Sequence, residues 1–286
     1  MQLSLKKKIF FGSIIILTII IFSVLICELI FRILLKNEIN AYGVGPATNE
    51  FSNKYIRLNS KMYRDVEHQL ENNAGKFRLL ALGDSYHFGA GIKNIDDLYF
   101  NIIARKLKSK LPKDFNDVEV INISRGGWNI EKYLIHLKKD GLAYKPNAVI
   151  LGIVFNDIET DLMFAELYMT KLFFISDRIE WLLRNNSYFY YFLESRIDRL
   201  LENFGIKKNY IQTLINAYSN NSAEFKNFMN NYLKILELCE TEKIIVFTVI
   251  LPCLAKNKND MQLINKCMLN FKNAIEQSEK YQNYKN

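Results

Sequence analysis

The stretch Phe77-Arg-Leu-Leu-Ala-Leu-Gly-Asp-Ser85 decides the fold class, because an apolar run of strand length breaks into a Gly-Asp-Ser turn. A glycine-punctuated segment, Phe88-Gly-Ala-Gly-Ile92, follows it directly. A serine on such a strand-to-helix turn lies at the carboxyl edge of a sheet, where α/β proteins bind their ligands. The amides that begin the next helix would face a negative charge that develops beside the Ser85 hydroxyl.

Strand and helix patterns alternate along the rest of the chain. Apolar runs predict strands at 77–82, 118–123, 147–155 and 243–251, and amphipathic periodicity predicts helices over about 97–110, 129–141, 223–239 and 260–281. The third run is apolar enough to be covered on both faces. The alternation therefore predicts a flavodoxin-like three-layer α/β/α fold with a parallel sheet.

The N-terminus carries one candidate transmembrane helix. Lys6-Lys7-Lys8 precedes a run from Ile9 to Cys27 that is almost entirely apolar. About 19 such residues suffice to cross a bilayer as a helix. A cleavable signal peptide would have a shorter apolar region and a small-residue cleavage site, so we expect an uncleaved anchor. The lysine cluster favours a cytoplasmic N-terminus, with the rest of the chain periplasmic or extracellular.

These patterns divide the chain into three parts. Residues 1–36 form a cytoplasmic tip and transmembrane anchor, 37–75 a linker and lead-in segment, and 76–286 the α/β domain. The domain contains an insertion at about 160–225 that is rich in aromatic residues at helical spacing. We expect this insertion to pack on the sheet as a helical cap. The alternatives are a lid over the substrate and a patch that lies on the membrane surface.

Composition limits the classes of function. With 49% hydrophobic and 24% charged residues, the 286-residue chain can bury a sizeable core. The net charge of +8 is spread along the chain without a nucleic-acid-binding motif, so we expect no nucleic-acid partner, only a weak attraction to anionic lipid head groups.

The four cysteines are spaced too widely for a Cys-x-x-Cys metal or redox site. Cys27 lies in the apolar N-terminal segment, and we interpret Cys239, Cys253 and Cys267 as small buried hydrophobic residues, with a Cys253–Cys267 disulfide left open. No metal or cofactor is expected.

Three predicted strand ends deliver polar or glycine groups to one edge of the sheet. They are Ser85, the Gly126-Gly127 turn and Asn156. Acyl transfer requires a hydroxyl nucleophile and several hydrogen-bond donors directed at the tetrahedral oxyanion. The serine amide, a glycine amide and an asparagine amide would supply three such donors.

On these motifs the sequence resembles the SGNH (GDSL-type) hydrolase family over about residues 55–286. Phe77–Ile92 is similar to the first block of that family, Asn122–Asn129 to its second and Val154–Asp157 to its third. Leu58-Asn-Ser-Lys-Met-Tyr-Arg-Asp65 is similar to a lead-in motif of membrane-anchored members.

The resemblance implies a function and roles for individual residues. Ser85 would be the nucleophile, and Ser85 N–H, Gly127 N–H and Asn156 would form the oxyanion hole. Members cleave or transfer acyl esters, often acetyl groups on bacterial surface carbohydrates. Two departures stand out: Val154 replaces the usual glycine of the third block, and the Asp-x-x-His of the fourth block is not found, since Leu263 stands three residues after Asp260.

No histidine replaces that missing base in an obvious way. His87 lies two residues beyond Ser85, an offset of about 200° on a helix, which directs it away from the serine. His136 faces away from the apolar stripe of its helix and is expected to be solvated, and His68 lies in the lead-in segment.

Three hypotheses follow. The first is a membrane-anchored hydrolase or acyltransferase with an unusual base. The second is a catalytically impaired or truncated pseudoenzyme that binds a glycan or a membrane-protein partner. The third is a flavodoxin-like binding module in which Ser85 is only a turn residue. Without a further strand, the fourth strand would form a poorly protected edge of the sheet. We therefore expect the domain to be marginally stable.

Overall fold

The computed structural model describes residues 4–36, 45–72, 75–163, 176–253 and 258–278. The chain folds as two compact units, each built from two stretches of sequence. One combines residues 1–54 with 171–206, and the other combines 55–170 with 207–286. The predicted insertion at about 160–225 is therefore divided between the two units.

The strands are β1 (Phe77–Gly83), β2 (Val118–Ser124), β3 (Ala148–Ile153) and β4 (Ile245–Ile250). The α-helices are α1 (Leu5–Leu35), α2 (Pro46–Tyr55), α3 (Ser85–Phe88), α4 (Tyr99–Leu107), α5 (Ile130–His136), α6 (Asp177–Asn186), α7 (Tyr188–Asn203), α8 (Tyr210–Ala217), α9 (Ala223–Thr241) and α10 (Lys258–Gln277).

The four strands form one parallel sheet in the order β2-β1-β3-β4. On one face, Leu80 and Leu82 pack in a core with residues of α5, α9 and α10. On the other face, Leu79 and Ala81 pack with Phe100 of α4. Every residue of β3 is buried, as its apolar sequence predicts. The α/β/α sandwich expected from the alternating pattern is confirmed.

The two edges of the sheet differ in how they are covered. Along β2, Asp65 of the lead-in segment accepts a hydrogen bond from Asn122 N–H at 2.6 Å, and Arg64 O accepts one from the Asn122 side chain. At the opposite edge, Ile245 and Phe247 of β4 are more than half exposed. Among the described residues β4 pairs only with β3, as expected for an edge strand.

The predicted helices differ from the observed ones mainly at their ends. The helix predicted over 129–141 is α-helical only through His136 and then widens into a π-turn, Leu137–Gly141. Before α4, which begins at Tyr99 rather than near 97, the Asn94 side chain caps a 3-10 turn by accepting a hydrogen bond from Asp96 N–H.

In the other unit, α6 and α7 pack with the carboxyl-terminal part of α1. The Phe31 ring stacks on Phe189 and Phe192 of α7, with centroids 5.8 and 4.2 Å away. Of the helices in the predicted insertion, α6 and α7 belong to the unit of α1, whereas α8 belongs to the α/β unit. The aromatic residues predicted at 164–174 lie outside the described residues.

Of the cysteines predicted to be buried, Cys239 and Cys267 lie among apolar side chains of the core, whereas Cys253 is only half-buried. Cys253 and Cys267 are both free thiols, so the disulfide left open by the sequence is not formed.

Candidate functional site

The sheet places the three predicted site segments at one edge. Ser85 follows the inner strand β1, the Gly126-Gly127 turn follows β2, and Asn156 follows β3. Gly83 is in register with Ser124, so the ends of β1 and β2 are level. Because β2 and β3 flank β1 and all three strands are parallel, their carboxyl ends lie side by side around Ser85.

The Ser85 hydroxyl donates a hydrogen bond to Asp84 Oδ2 at 3.0 Å. The other oxygen of Asp84 accepts one from Tyr86 N–H at 2.9 Å and caps the short helix α3. Burial raises the pKa of the Asp84 carboxyl, and this effect outweighs that of the hydrogen bonds, which lower the pKa. Asp84 is fully buried and Ser85 is half-buried, so the hydroxyl is the part of the pair that a substrate can reach.

The glycine turn approaches Ser85 through Gly126. A Cβ built on Gly126 would lie 3.8 Å from Ser85 Cβ, whereas one built on Gly127 would have no atom within 4 Å. Gly127 is exposed and has a φ of +78°, in the region that favours glycine. No neighbouring side chain therefore crowds the Cα of Gly127.

Asn156 lies in a 3-10 turn, Phe155–Ile158, that is fixed by Asp157. Asp157 accepts hydrogen bonds from Tyr133 Oη at 2.6 Å and from Val154 N–H at 2.8 Å. Burial raises the pKa of Asp157 well above its usual range, and the nearby charge of Asp84 adds to the effect. No side-chain hydrogen bond of Asn156 occurs within the described residues, so its amide can donate to a ligand.

A buried arginine holds the segment that follows α3. Arg64 donates to the carbonyl oxygens of Gly89 and Ile92, both at 2.6 Å, and to those of Phe88 and Lys93 at 3.1 and 3.2 Å. Its guanidinium thereby fixes the backbone just beyond Ser85. The lead-in motif thus contributes to the site through Arg64, by positioning rather than by contact with a substrate.

His87 is directed away from Ser85, as its helical offset predicts. Its ring fills a gap over β1 and β3, since a Cβ on Gly83 would lie 2.2 Å from Nδ1 and one on Gly152 would lie 1.7 Å from Cε1. His87 Nε2 and Tyr99 Oη share a hydrogen bond of 2.7 Å. Burial lowers the pKa of His87 to about 3. The residue is a neutral core histidine, not a base for Ser85.

The other two histidines are bound in polar clusters of their own. His136 shares a hydrogen bond of 2.9 Å with Tyr63 Oη and stacks on Trp128 at 4.0 Å. The prediction that His136 is solvated is therefore wrong. His68 is held by Asp65 and Glu119, each at 3.0 Å from one ring nitrogen.

A third carboxyl group, half-buried, lies near the third segment. Glu159 follows Asn156 by three residues, and burial raises its pKa to about 7, against the Tyr210 hydroxyl, which lowers it. Its backbone oxygen accepts a hydrogen bond from Asn129 of the glycine turn at 2.7 Å. Glu159 therefore ties the segments after β2 and β3 to each other.

From the sequence, Asp84 is identified only as part of the Gly-Asp-Ser turn, and Glu159 is not singled out at all. Asp84 could have been found, because an aspartate immediately before a short helix is a common N-cap. No local sequence pattern identifies Glu159, because its burial depends on α8, which comes from a distant part of the chain. Among the described residues, no group of three or more His, Cys, Asp or Glu side chains is arranged to hold a metal ion.

In comparisons with known proteins, no family model matches this chain, and no curated protein sequence matches it.

Proposed function

We propose that this protein is a membrane-anchored serine ester hydrolase or acyltransferase of the SGNH type. The observation that carries the proposal is the Ser85 hydroxyl, hydrogen-bonded to Asp84 at the end of β1 and flanked by the strand ends that carry Gly127 and Asn156. This arrangement offers a nucleophile, a proton acceptor and oxyanion donors on adjacent strands.

In the proposed mechanism, Ser85 Oγ attacks the carbonyl carbon of an ester while its proton passes to the Asp84 carboxylate. The Gly127 N–H and the Asn156 amide donate hydrogen bonds to the oxyanion. The intermediate collapses to an acyl-Ser85 ester, and protonated Asp84 returns the proton to the departing alkoxide. Water or an acceptor hydroxyl then attacks the acyl-serine, with Asp84 again accepting a proton.

A carboxylate is a weaker base than the imidazole of a serine triad, so we expect slow turnover. Positioned acid–base catalysis contributes about 10²- to 10⁴-fold to a rate, and its efficiency depends on how well the pKa of the base matches the task. The raised pKa of Asp84 improves that match only in part.

The substrate class we propose is an O-acyl, mainly acetyl, ester on cell-surface carbohydrate. The resemblance suggests this class, and the open rim of the site suits it. Arg125, Gly126 and Gly127 are all exposed, as is the Tyr86 side chain. An ester carried by a long polymer could reach such a rim without entering a closed cavity.

We further propose that α1 is an uncleaved anchor, with the α/β unit and the helices α2, α6 and α7 outside the cytoplasm. The helix is long and apolar enough to cross a membrane, and Lys6–Lys8 precede it. Its last turns are built into the folded unit, since Phe31 stacks on α7 and Arg32 donates to Glu50 at 3.4 Å. Removal of α1 as a signal peptide would destroy these contacts.

A second candidate function is a catalytically impaired protein that binds an acylated glycan. The observation that favours it is the position of the histidines, because His87 is enclosed in the core and the other two have carboxylate or tyrosine partners. An intact oxyanion site without a strong base would bind an ester more readily than it would cleave one.

Release of 4-nitrophenol from 4-nitrophenyl acetate by the full chain in detergent distinguishes the two candidates. We expect slow hydrolysis that Ser85→Ala removes and that Ser109→Ala, a change on an exposed surface turn, leaves intact. Hydrolysis at the same rate in Ser85→Ala and the unchanged protein would contradict the hydrolase proposal.

A further inference from the structure

The helix pair α6–α7 buries charged side chains at its interface and exposes several large apolar ones. Glu180 of α6 and Glu194 of α7 are buried, and Arg184 joins them, with Nε 2.9 Å from one Glu194 oxygen and Nη2 3.2 Å from Glu180. An ion-pair network thus fills the space between the helices. In water, helices normally bury apolar residues and expose charged ones.

The exposed surface of α6 carries four large apolar side chains beside the polar Asp177, Arg178 and Asn186. These four side chains, which we call the α6 apolar face, are Ile179 (49% exposed), Trp181 (63%), Leu182 (45%) and Leu183 (36%). Apolar side chains that point out from a polar helix interface are expected where the surroundings are lipid rather than water.

Contacts with α1 fix where this face lies along the membrane helix. Glu28 of α1 accepts hydrogen bonds from Ser187 Oγ at 2.7 Å and from Phe189 N–H at 3.0 Å. Arg32 donates to the carbonyl oxygen of Asn186 at 3.1 Å. The carboxyl end of α6 is therefore held beside residues 28–32 of α1.

Exposed apolar side chains on α1 continue beyond Glu28, toward the carboxyl end of the helix. Leu29, Ile30, Ile33 and Leu34 are all exposed apolar side chains, and the last of them lies about 9 Å beyond Glu28 along the helix axis. The apolar core of a bilayer is about 30 Å thick, and α1 with 31 residues is about 46 Å long. A membrane that covers these residues of α1 reaches the carboxyl half of α6.

We propose that the α6 apolar face lies in the interfacial region of the bilayer, with Trp181 at the boundary between head groups and acyl chains. Tryptophan is enriched at that depth because its ring is apolar and its N–H is polar. Arg178 is exposed on the same helix and would meet anionic lipid phosphates. The proposal rests on the proposed membrane position of α1.

Quenching of tryptophan fluorescence by brominated lipids tests the proposal directly, because the chain has only Trp128 and Trp181. The full chain is reconstituted in phosphatidylcholine–phosphatidylglycerol liposomes whose acyl chains are brominated near the head group. The matched control is Trp181→Phe, which leaves the buried Trp128 of the α/β unit as the sole emitter. Circular dichroism confirms that both proteins are folded.

We expect the unchanged protein to lose about half of its tryptophan emission and Trp181→Phe to lose little, since only an interfacial ring meets the bromine atoms. Equal fractional quenching of the two proteins would overturn the proposal. Flotation of the liposomes reports on the anchor separately. Protein that fails to float overturns the anchor and this inference together, whereas floating protein with unquenched Trp181 overturns this inference alone.

Discussion

Ser85 Oγ and Asp84 Oδ2 are joined by a hydrogen bond of 3.0 Å, within the turn that links the inner strand β1 to α3. This pair brings the hydroxyl and its nearest proton acceptor into one dipeptide. The arrangement differs from a serine triad, where the base comes from a distant part of the chain. The proposed chemistry therefore depends on a carboxylate whose burial raises its pKa.

Asp84→Asn should lower the rate of 4-nitrophenyl acetate hydrolysis by about 10²-fold or more, because the amide cannot accept a proton. Asparagine also caps helices well, so the turn should persist. In the unchanged protein the rate should rise with pH as Asp84 ionises, and level off above its raised pKa. Steady-state rates across pH measure both effects.

Glu159→Gln is the matched control for Asp84→Asn, since it removes another carboxyl group with a raised pKa near the site. Its carboxyl group has the Tyr210 hydroxyl as a partner at 3.5 Å, not Ser85. We expect the rate and its pH profile to be preserved. A profile that titrates near the Glu159 pKa of about 7, and that disappears in Glu159→Gln, would transfer the role of base from Asp84 to Glu159.

Gly152→Ala should destabilise the α/β unit, because its Cβ would lie 1.7 Å from Cε1 of the fully buried His87 ring, so the ring or the strand would have to shift. Overpacking of this kind costs about 1–3 kcal/mol. Gly126→Ala is the control, as its Cβ would meet only Ser85 Cβ at an ordinary 3.8 Å. Urea unfolding of both variants in detergent compares the free energies, and similar losses would show that the gap around His87 is adaptable.

The His68 cluster should make stability depend on pH. Burial lowers the pKa of His68, but the hydrogen bonds and charges of Asp65 and Glu119 outweigh it and raise the pKa above 6.5. Because the folded state holds this proton more tightly, the contribution is fully present below pH 6.5 and is lost as pH rises through the higher folded pKa. His68→Gln should flatten this part of the stability–pH curve, and an unchanged slope would contradict the assignment.

Glu28→Gln should loosen the start of α7, since the charged carboxylate accepts hydrogen bonds from Ser187 and from the amides of Tyr188 and Phe189. Loss of a helix cap costs about 0.5–2 kcal/mol, so we expect exchange of these amides to quicken about tenfold. Hydrogen exchange measured by mass spectrometry compares this variant with Glu131→Gln, which changes an exposed residue of α5. Equal protection of these amides in the two variants would show that Glu28 does not cap α7.

The sequence predicted the α/β core well, because strand periodicity and the strand-end motifs are local. The runs at Phe77 and Val118 become β1 and β2 with almost the predicted bounds. His87 also points away from Ser85, as a helical offset requires. The space for its ring exists because Gly83 of β1 and Gly152 of β3, which lack side chains, both lie against it. The local sequence around either glycine does not indicate that the two lie next to the same ring.

The partners of the insertion could not be predicted for a related reason. Aromatic residues at helical spacing indicate a buried helix face but do not specify what covers it. In α7, Phe189 and Phe192 pack on Phe31, more than 150 residues earlier in the chain. His136 was assigned to solvent on helical phase alone, whereas Tyr63 and Trp128 approach it from outside its helix.

The central claim is that Ser85 is an activated nucleophile, and fluorophosphonate labelling of the full chain tests it most directly. Mass spectrometry of the labelled peptides identifies the modified residue, with Ser109→Ala as the surface control. We predict a phosphonyl adduct on Ser85 that is absent from Ser85→Ala and forms much more slowly in Asp84→Asn. A folded protein that remains unlabelled at Ser85, or whose labelling is the same in Asp84→Asn, would contradict the account.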